Sequence, residues 1–165
     1  MKVIDNFLPP EEFVPIQQLM LNSDFPWFYN PYINYKNESS DDFQFTHCFY
    51  RASMGEVIGG LQTGFPKIVE LFVKTLGIKS MVQMKANMNP RTETLKQYEF
   101  HTDCDLNCNT AIFYINSNDG YTIFENGDRI DSVENRLVIF NSSLAHTGTS
   151  CTNSKVRVLI NLNYF

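Results

Sequence analysis

The 165-residue sequence predicts a mainly β fold with flanking helices: a sandwich or jelly-roll barrel preceded by N-terminal helices. Three observations predict it. Aromatic residues make up 14% of the chain, with 14 Phe and 8 Tyr, and such side chains suit the half-buried pleated surface of strands. Short apolar or alternating segments recur at regular spacing through the second half. The turn dipeptides Asp119-Gly120 and Asn126-Gly127 punctuate them.

The elements follow in order. A first helix starts after Pro9-Pro10, where Glu11 and Glu12 suit the positive end of the helix dipole, and Phe13, Ile16, Leu19 and Met20 recur at helical spacing. A second runs from Phe65 or Pro66 to Gly77, with Ile68, Val69, Phe72 and Leu76 as its buried stripe and Gly77 as its stop. Strands are expected at 43–50, 81–88, 98–103, 110–116, 121–125, 136–140 and 155–164. Polar stretches at 37–42 and 90–97 read as loops. No repeat or linker interrupts the chain, so 1–165 reads as one domain. Residues 1–80 form a helical and strand support region, and 81–165 form the core.

Composition excludes several function classes. Hydrophobic residues make up 43%, too many for a disordered chain. No stretch approaches the ~18 uninterrupted apolar residues of a membrane span. Asp5 and Asn6 break the first apolar run, which speaks against a secretory leader and for a cytoplasmic location. The net charge is −5 with no basic stripe, which disfavours nucleic acid as a partner. Cys48, Cys104, Cys108 and Cys151 form no Cys-x-x-Cys pair, although Cys104 and Cys108 lie close enough to His101 to keep zinc binding open.

The chemistry concentrates in few residues. His101 opens His-Thr-Asp, and in a strand residues i and i+2 share a face, so His101 and Asp103 can hold one metal ion. His146 lies 43 residues beyond Asp103, where a second strand can bring it to the same ion. Two histidines and a carboxylate leave coordination positions open, as non-haem Fe(II) oxygenases require. The tripeptide alone arises by chance often enough to carry little. Period two along 155–164 puts Lys155, Arg157, Leu159, Asn161 and Asn163 on one face and Val156, Val158, Ile160 and Leu162 on the other. An arginine beside amides in a polar cavity would bind a carboxylate or phosphate through its planar fork; an exposed arginine on a surface strand is the alternative. His47 alternates with Phe43, Phe45 and Phe49 and reads as a core histidine. The aromatic run 25–32 reads as packing over the barrel mouth, with a substrate groove as the alternative.

The ordered set His-Thr-Asp, Thr-Ala-Ile-Phe-Tyr-Ile-Asn, Asp-Gly-Tyr-Thr-Ile-Phe, Asn-Arg-Leu-Val-Ile-Phe, His146 and Arg157 resembles the iron(II)/2-oxoglutarate-dependent dioxygenases. Within them it is most similar to the prolyl 4-hydroxylase-type branch, which includes small bacterial and bacteriophage proteins. Residues 81–165 carry the resemblance, which implies a double-stranded β-helix (jelly roll) core behind the N-terminal helices. It implies that His101, Asp103 and His146 ligate Fe(II). It also implies that Arg157 pairs with the distal carboxylate of the co-substrate 2-oxoglutarate, and that Tyr114 hydrogen-bonds the same carboxylate. The implied reaction hydroxylates an unactivated carbon of a small-molecule or peptidyl substrate, a prolyl residue among the candidates. It consumes O2, releases succinate and CO2, and takes ascorbate as reductant. The aromatic bulk would then line an apolar cavity around the metal. Two departures stand out: Asp119-Gly120-Tyr121 replaces the family's frequent Gly-Gly, and a tyrosine common on the strand before the metal motif is missing, with Lys85 or Asn87 in its place. Two other readings remain: a non-catalytic jelly-roll binding module, and a cupin-like or zinc metalloprotein using His101, His146 and Cys104 or Cys108.

Overall fold

A computed structural model describes residues 1–33, 42–52, 65–103 and 106–165. Ten strands and two helices occur among them: β1 (Lys2–Ile4), α1 (Pro10–Leu21), β2 (Phe28–Asn30), β3 (Gln44–Arg51), α2 (Phe65–Leu76), β4 (Met81–Pro90), β5 (Asn109–Tyr114), β6 (Tyr121–Phe124), β7 (Arg129–Asp131), β8 (Leu137–Asn141), β9 (His146–Gly148) and β10 (Val156–Tyr164). The strands form a seven-stranded sheet, β1-β8-β5-β10-β4-β3-β2, and a three-stranded sheet, β7-β6-β9. Every pairing is antiparallel. This is the mainly β jelly-roll architecture expected from the sequence.

Period two sorts the side chains of the large sheet. Ala111 and Phe113 of β5, Val158, Ile160 and Leu162 of β10, and Met84 and Ala86 of β4 face the helices. There they bury Phe13, Ile16 and Met20 of α1 and Ile68, Val69 and Phe72 of α2. The opposite face carries Ile112, Tyr114, Val138 and Leu159, which pack with Phe124 of the small sheet and with Phe140. Each fully buried Leu, Ile or Phe is worth roughly 1.5–3 kcal/mol, so the helix layer is where the sheet gains most of its support.

Both helices form where expected. Pro10 takes the first helical position, and Gly77 follows α2 with φ 63°. Leu19 differs: it is 37% exposed, because the stripe that meets the sheet is Phe13, Ile16 and Met20. The turn at Gly127 (φ 90°) joins β6 to β7 as its dipeptide predicts. The expected strand at 98–103 is instead an extended segment with two isolated bridges, Gln97 to Thr149 and His101 to His146. The expected loop at 37–42 lies outside the described residues apart from Asp42, as does Cys104.

The N-terminal segment is tied to the barrel by Asn135. Its side chain accepts a hydrogen bond from the Leu8 N–H (2.9 Å) and donates one to the Leu8 carbonyl (2.8 Å). Its φ of 57° is one that Asn tolerates better than most side chains.

The aromatic residues occupy different places from those expected. Phe25 packs against Trp27, His47, Phe49 and Phe65 in the helix-side core, with centroids 4.8, 4.8, 6.2 and 5.3 Å away. Phe28 and Tyr29 stay exposed on the edge strand β2. Phe25 and Trp27 of the run 25–32 thus support the helix side of the sheet rather than the barrel mouth. His47 is a buried core histidine, as read from its alternation, with Nδ1 3.0 Å from the Pro26 carbonyl.

Candidate active site

Between the two sheets lies a cavity of about 290 Å³. Its wall is built from the β10 face predicted to be polar, Arg157, Leu159, Asn161 and Asn163, and from its β4 partners in register, Asn89, Asn87, Lys85 and Gln83. Seven of these eight side chains are polar or charged. The expectation of an aromatic-lined cavity is corrected: Phe13, Phe25, Phe49, Phe65, Phe72 and Phe113 all lie on the other side of the large sheet.

His101, Asp103 and His146 converge at this cavity. The backbones of His101 and His146 exchange N–H to carbonyl hydrogen bonds, both 3.0 Å, which seats the two imidazoles side by side with centroids 4.9 Å apart. His101 Nε2 lies 3.5 Å from Asp103 Oδ1, and His146 Nε2 lies 3.7 Å from Asp103 Oδ2. One ligand atom from each residue falls within 4.8 Å of the others. Asp103 sits on a bend rather than a strand, so the i, i+2 geometry read from the sequence reaches the right place by a different backbone path.

The outer contacts of both rings fix their tautomers. His101 Nδ1 faces the Glu99 carbonyl (3.3 Å) and His146 Nδ1 faces the Leu144 carbonyl (3.1 Å). A carbonyl only accepts, so each Nδ1 carries a proton, and each Nε2 points at the triad, where it can offer a lone pair once any proton it holds is released. Metal-binding histidines are oriented in this way.

Electrostatics set the two rings apart. Burial opposes a charge on His101, but the Asp103 carboxylate outweighs it and raises the pKa. Burial lowers His146, only partly offset by Asp103. Burial would raise Asp103, yet the hydrogen bond from His101 and the charges of His146, His101 and Lys85 hold it below the ordinary carboxylate value. Asp103 Oδ2 is buried with no hydrogen-bond partner. An unsatisfied buried acceptor costs roughly 1–3 kcal/mol, more when charged. Two imidazoles and an ionised, unsatisfied carboxylate fit a divalent cation, which would displace any proton on His101 Nε2, and three protein ligands leave coordination positions open. Cys108 is buried but does not join this group, and no cysteine does among the described residues.

Arg157 is 2% exposed. Its Nε donates to Ser132 Oγ (2.8 Å) and its Nη2 to Thr122 Oγ1 (3.2 Å), which also accepts from the Tyr114 hydroxyl (2.7 Å). The Arg157 Cζ lies 5.7 Å from the centre of the Tyr114 ring. No carboxylate among the described residues forms an ion pair with this guanidinium. Glycines frame it: a Cβ at Gly148 would stand 3.1 Å from Nη1, and one at Gly120 would stand 2.6 Å from Cδ. A buried, unpaired guanidinium in a cavity wall fits a carboxylate-bearing ligand. Gly148 and His146 lie two residues apart on β9, roughly 6.6 Å along the strand. That places the guanidinium and the triad within the span of a short dicarboxylate.

The sequence reading missed two contributors. Thr122, not Tyr114, presents its hydroxyl to the cavity, and Tyr114 lies fully buried behind it. Tyr98 lines the cavity three residues before His101; burial, then Asp42, pushes its hydroxyl up to about 12, and the Arg157 charge pulls against this. Strict alternation through 98–103 puts Tyr98 on the face opposite His101, but the segment is irregular and both sides reach the cavity.

Two imidazoles and one carboxylate at a jelly-roll cavity form the donor set of the non-haem iron centres. Solved structures share the fold. A prolyl hydroxylase from Trichoplax adhaerens, in complex with a hypoxia inducible factor oxygen degradation domain peptide fragment, matches with TM-score 0.61 at 20% identity, over 99% of this chain and 82% of that one. An oxidoreductase of the 2OG-Fe(II) oxygenase family from Burkholderia pseudomallei matches with TM-score 0.70 at 8% identity, over 98% and 83%. A Pseudomonas putida prolyl-4-hydroxylase matches with TM-score 0.56 at 13% identity, over 99% and 91%. No protein-family profile and no curated protein sequence matches this chain. The fold is that of the 2OG-Fe(II) oxygenases and prolyl hydroxylases.

Proposed function

We propose that the chain is one Fe(II)- and 2-oxoglutarate-dependent oxygenase domain that hydroxylates an unactivated carbon and releases succinate and CO2. The observation that carries this reading is the pairing, in one cavity, of the His101–Asp103–His146 cluster with the buried, unpaired Arg157.

In this reading His101, Asp103 and His146 hold Fe(II) through Nε2, a carboxylate oxygen and Nε2. Arg157 anchors the distal carboxylate of 2-oxoglutarate, with Thr122 and Ser132 fixing the guanidinium and Tyr114 fixing Thr122. The metal supplies O2 activation when bound. The chain supplies a permanent cation that binds and orients the co-substrate, two rings held in the ligating tautomer, and a sheltered cavity. Ascorbate as reductant belongs to the same reading, and prolyl hydroxylases with this fold make proline, free or peptide-bonded, a candidate substrate.

The test is co-substrate turnover. Purified protein with Fe(II), O2 and a substrate panel should convert 2-oxoglutarate to succinate, and Asp103→Ala should abolish the conversion. Succinate formation that persists in Asp103→Ala would sink the reading.

A further inference from the structure

The oxygenase reading uses Arg157 and the triad but leaves the far end of the cavity unexplained. Period two along β10 carries Leu159 and then Asn161 onto the face of Arg157, and the register sets Asn161 beside Lys85 and Leu159 beside Asn87 on β4. Lys85 thus lies four residues along the sheet from the level of Arg157, roughly 13 Å. It is mostly buried, lines the cavity and makes no ion pair among the described residues. Arg51, at the end of β3, lines the cavity too and likewise makes no ion pair among them. Beside Lys85, Asn87 and Asn161 each hold a buried amide oxygen with no hydrogen-bond partner.

Charge accounting points the same way. Among the described residues the cavity wall carries three cations, Arg51, Lys85 and Arg157, against two carboxylates, Glu99 and Asp103. A divalent metal and a dicarboxylate co-substrate cancel each other, so one positive charge among the described lining residues stays uncompensated. The molecule as a whole is acidic, with net charge −5, which makes that local excess specific to the cavity. Burial pushes the Lys85 ammonium below its ordinary pKa, Asp103 pulls it back in part and Arg51 opposes it. An arriving anion would relieve that cost.

We propose that Lys85 binds the carboxylate of a small substrate while the amides of Asn87 and Asn161 take hydrogen bonds from the same molecule. The substrate class is then free carboxylic acids bearing an N–H or O–H group, amino acids included, rather than a residue within a polypeptide. A peptide-bonded residue would set neutral amides against an unpaired ammonium. The cavity, about 290 Å³, is at the low end for ligand pockets and is shared with the co-substrate, which leaves room for a small molecule. This proposal rests on the oxygenase reading.

Saturation-transfer NMR on the whole protein, loaded with Zn(II) in place of Fe(II) and with 2-oxoglutarate, tests it without turnover. The probes are the protein amino acids, each as the free acid and as the carboxamide, and an end-blocked proline-containing peptide. At least one free acid should bind, with its carboxamide tenfold weaker or worse. Lys85→Met should weaken that acid tenfold or more and Lys85→Arg should restore most of the loss, while 2-oxoglutarate affinity stays within threefold. The proposal is overturned if 2-oxoglutarate binds but no free acid does, if acid and carboxamide bind alike, or if the blocked peptide binds and Lys85→Met leaves it unchanged. Should 2-oxoglutarate itself fail to bind the wild-type protein, the oxygenase reading falls and takes this one with it. The acid-to-carboxamide comparison needs no variant, so it stands even where Lys85 substitutions impair folding.

Discussion

Replacing Arg157 by Met separates a residue kept for ligand binding from one kept for stability. The side chain is buried, and among the described residues it donates to neutral hydroxyls, those of Ser132 and Thr122. Each hydrogen bond to a charged group is worth roughly 1.5–3 kcal/mol, so losing a two-pronged grip on a carboxylate costs about 3–6 kcal/mol. At 1.4 kcal/mol per decade, 2-oxoglutarate affinity should fall by roughly 10²–10⁴-fold. Folding stability should respond in the opposite sense. The ligand-free protein holds a desolvated cation with no counterion among the described residues, and such burial costs several kcal/mol. Met removes that cost while giving up the two hydroxyl contacts, so the variant should unfold within about 1–2 kcal/mol of the wild type, or later. Isothermal titration with 2-oxoglutarate on Zn(II)-loaded protein, beside urea unfolding of the metal-free protein, measures both. Arg157→Met binding 2-oxoglutarate within threefold of wild type, or losing more than about 3 kcal/mol of stability, would refute the reasoning.

Three further outcomes follow from the same structure. Gly120→Ala places a Cβ 2.6 Å from both Arg157 Cδ and the Ser150 carbonyl oxygen, so it should cost about 1–3 kcal/mol of stability and weaken 2-oxoglutarate binding together; unchanged binding would show that the guanidinium has room to spare. Asn135→Ala removes both hydrogen bonds to Leu8 and puts Ala at φ 57°, and should cost about 2–4 kcal/mol in chemical denaturation; a loss under about 0.5 kcal/mol would mean that the N-terminal segment is held elsewhere. His47 is buried among Phe25, Phe49 and Phe65 with Nε2 unpartnered, and burial lowers its pKa. Its contribution to stability is thus present above the ordinary value of about 6.5 and lost as pH falls below it, by at most about 1.4 kcal/mol per pH unit, because the unfolded chain takes up the proton first. Between pH 7.5 and 5.5 the wild-type melting temperature should fall further than that of His47→Phe, and equal falls would remove His47 as the cause.

Much of this architecture is legible in the sequence because long regular elements carry their own period. The β10 pattern separates Val158 and Ile160 from Arg157 and Asn161, and the structure places the first pair in the helix-side core and the second in the cavity wall. The α2 stripe and the Gly127 turn are local signals of the same kind. The parts that were not legible depend on contacts between distant residues. β9 has three residues, and the segment before Asp103 is held by single bridges, His101 to His146 among them, too short for any period to show. That irregularity hid Tyr98. Composition misled about the cavity because aromatic content does not say which face of a sheet it covers. Here Phe72 and Phe113 pack beneath the helices, while Asn87, Asn161 and Lys85 face the site. Gly120 reads as a turn residue, yet its lack of a side chain also makes room for Arg157, a contact that spans 37 positions.

The account turns on whether His101, Asp103, His146 and Arg157 hold Fe(II) and 2-oxoglutarate together. Anaerobic visible absorption tests this directly. Wild-type protein with both Fe(II) and 2-oxoglutarate should develop a charge-transfer band that neither gives alone, and His101→Ala should abolish it. Absence of the band in wild-type protein, or a band of undiminished intensity in His101→Ala, would contradict the account.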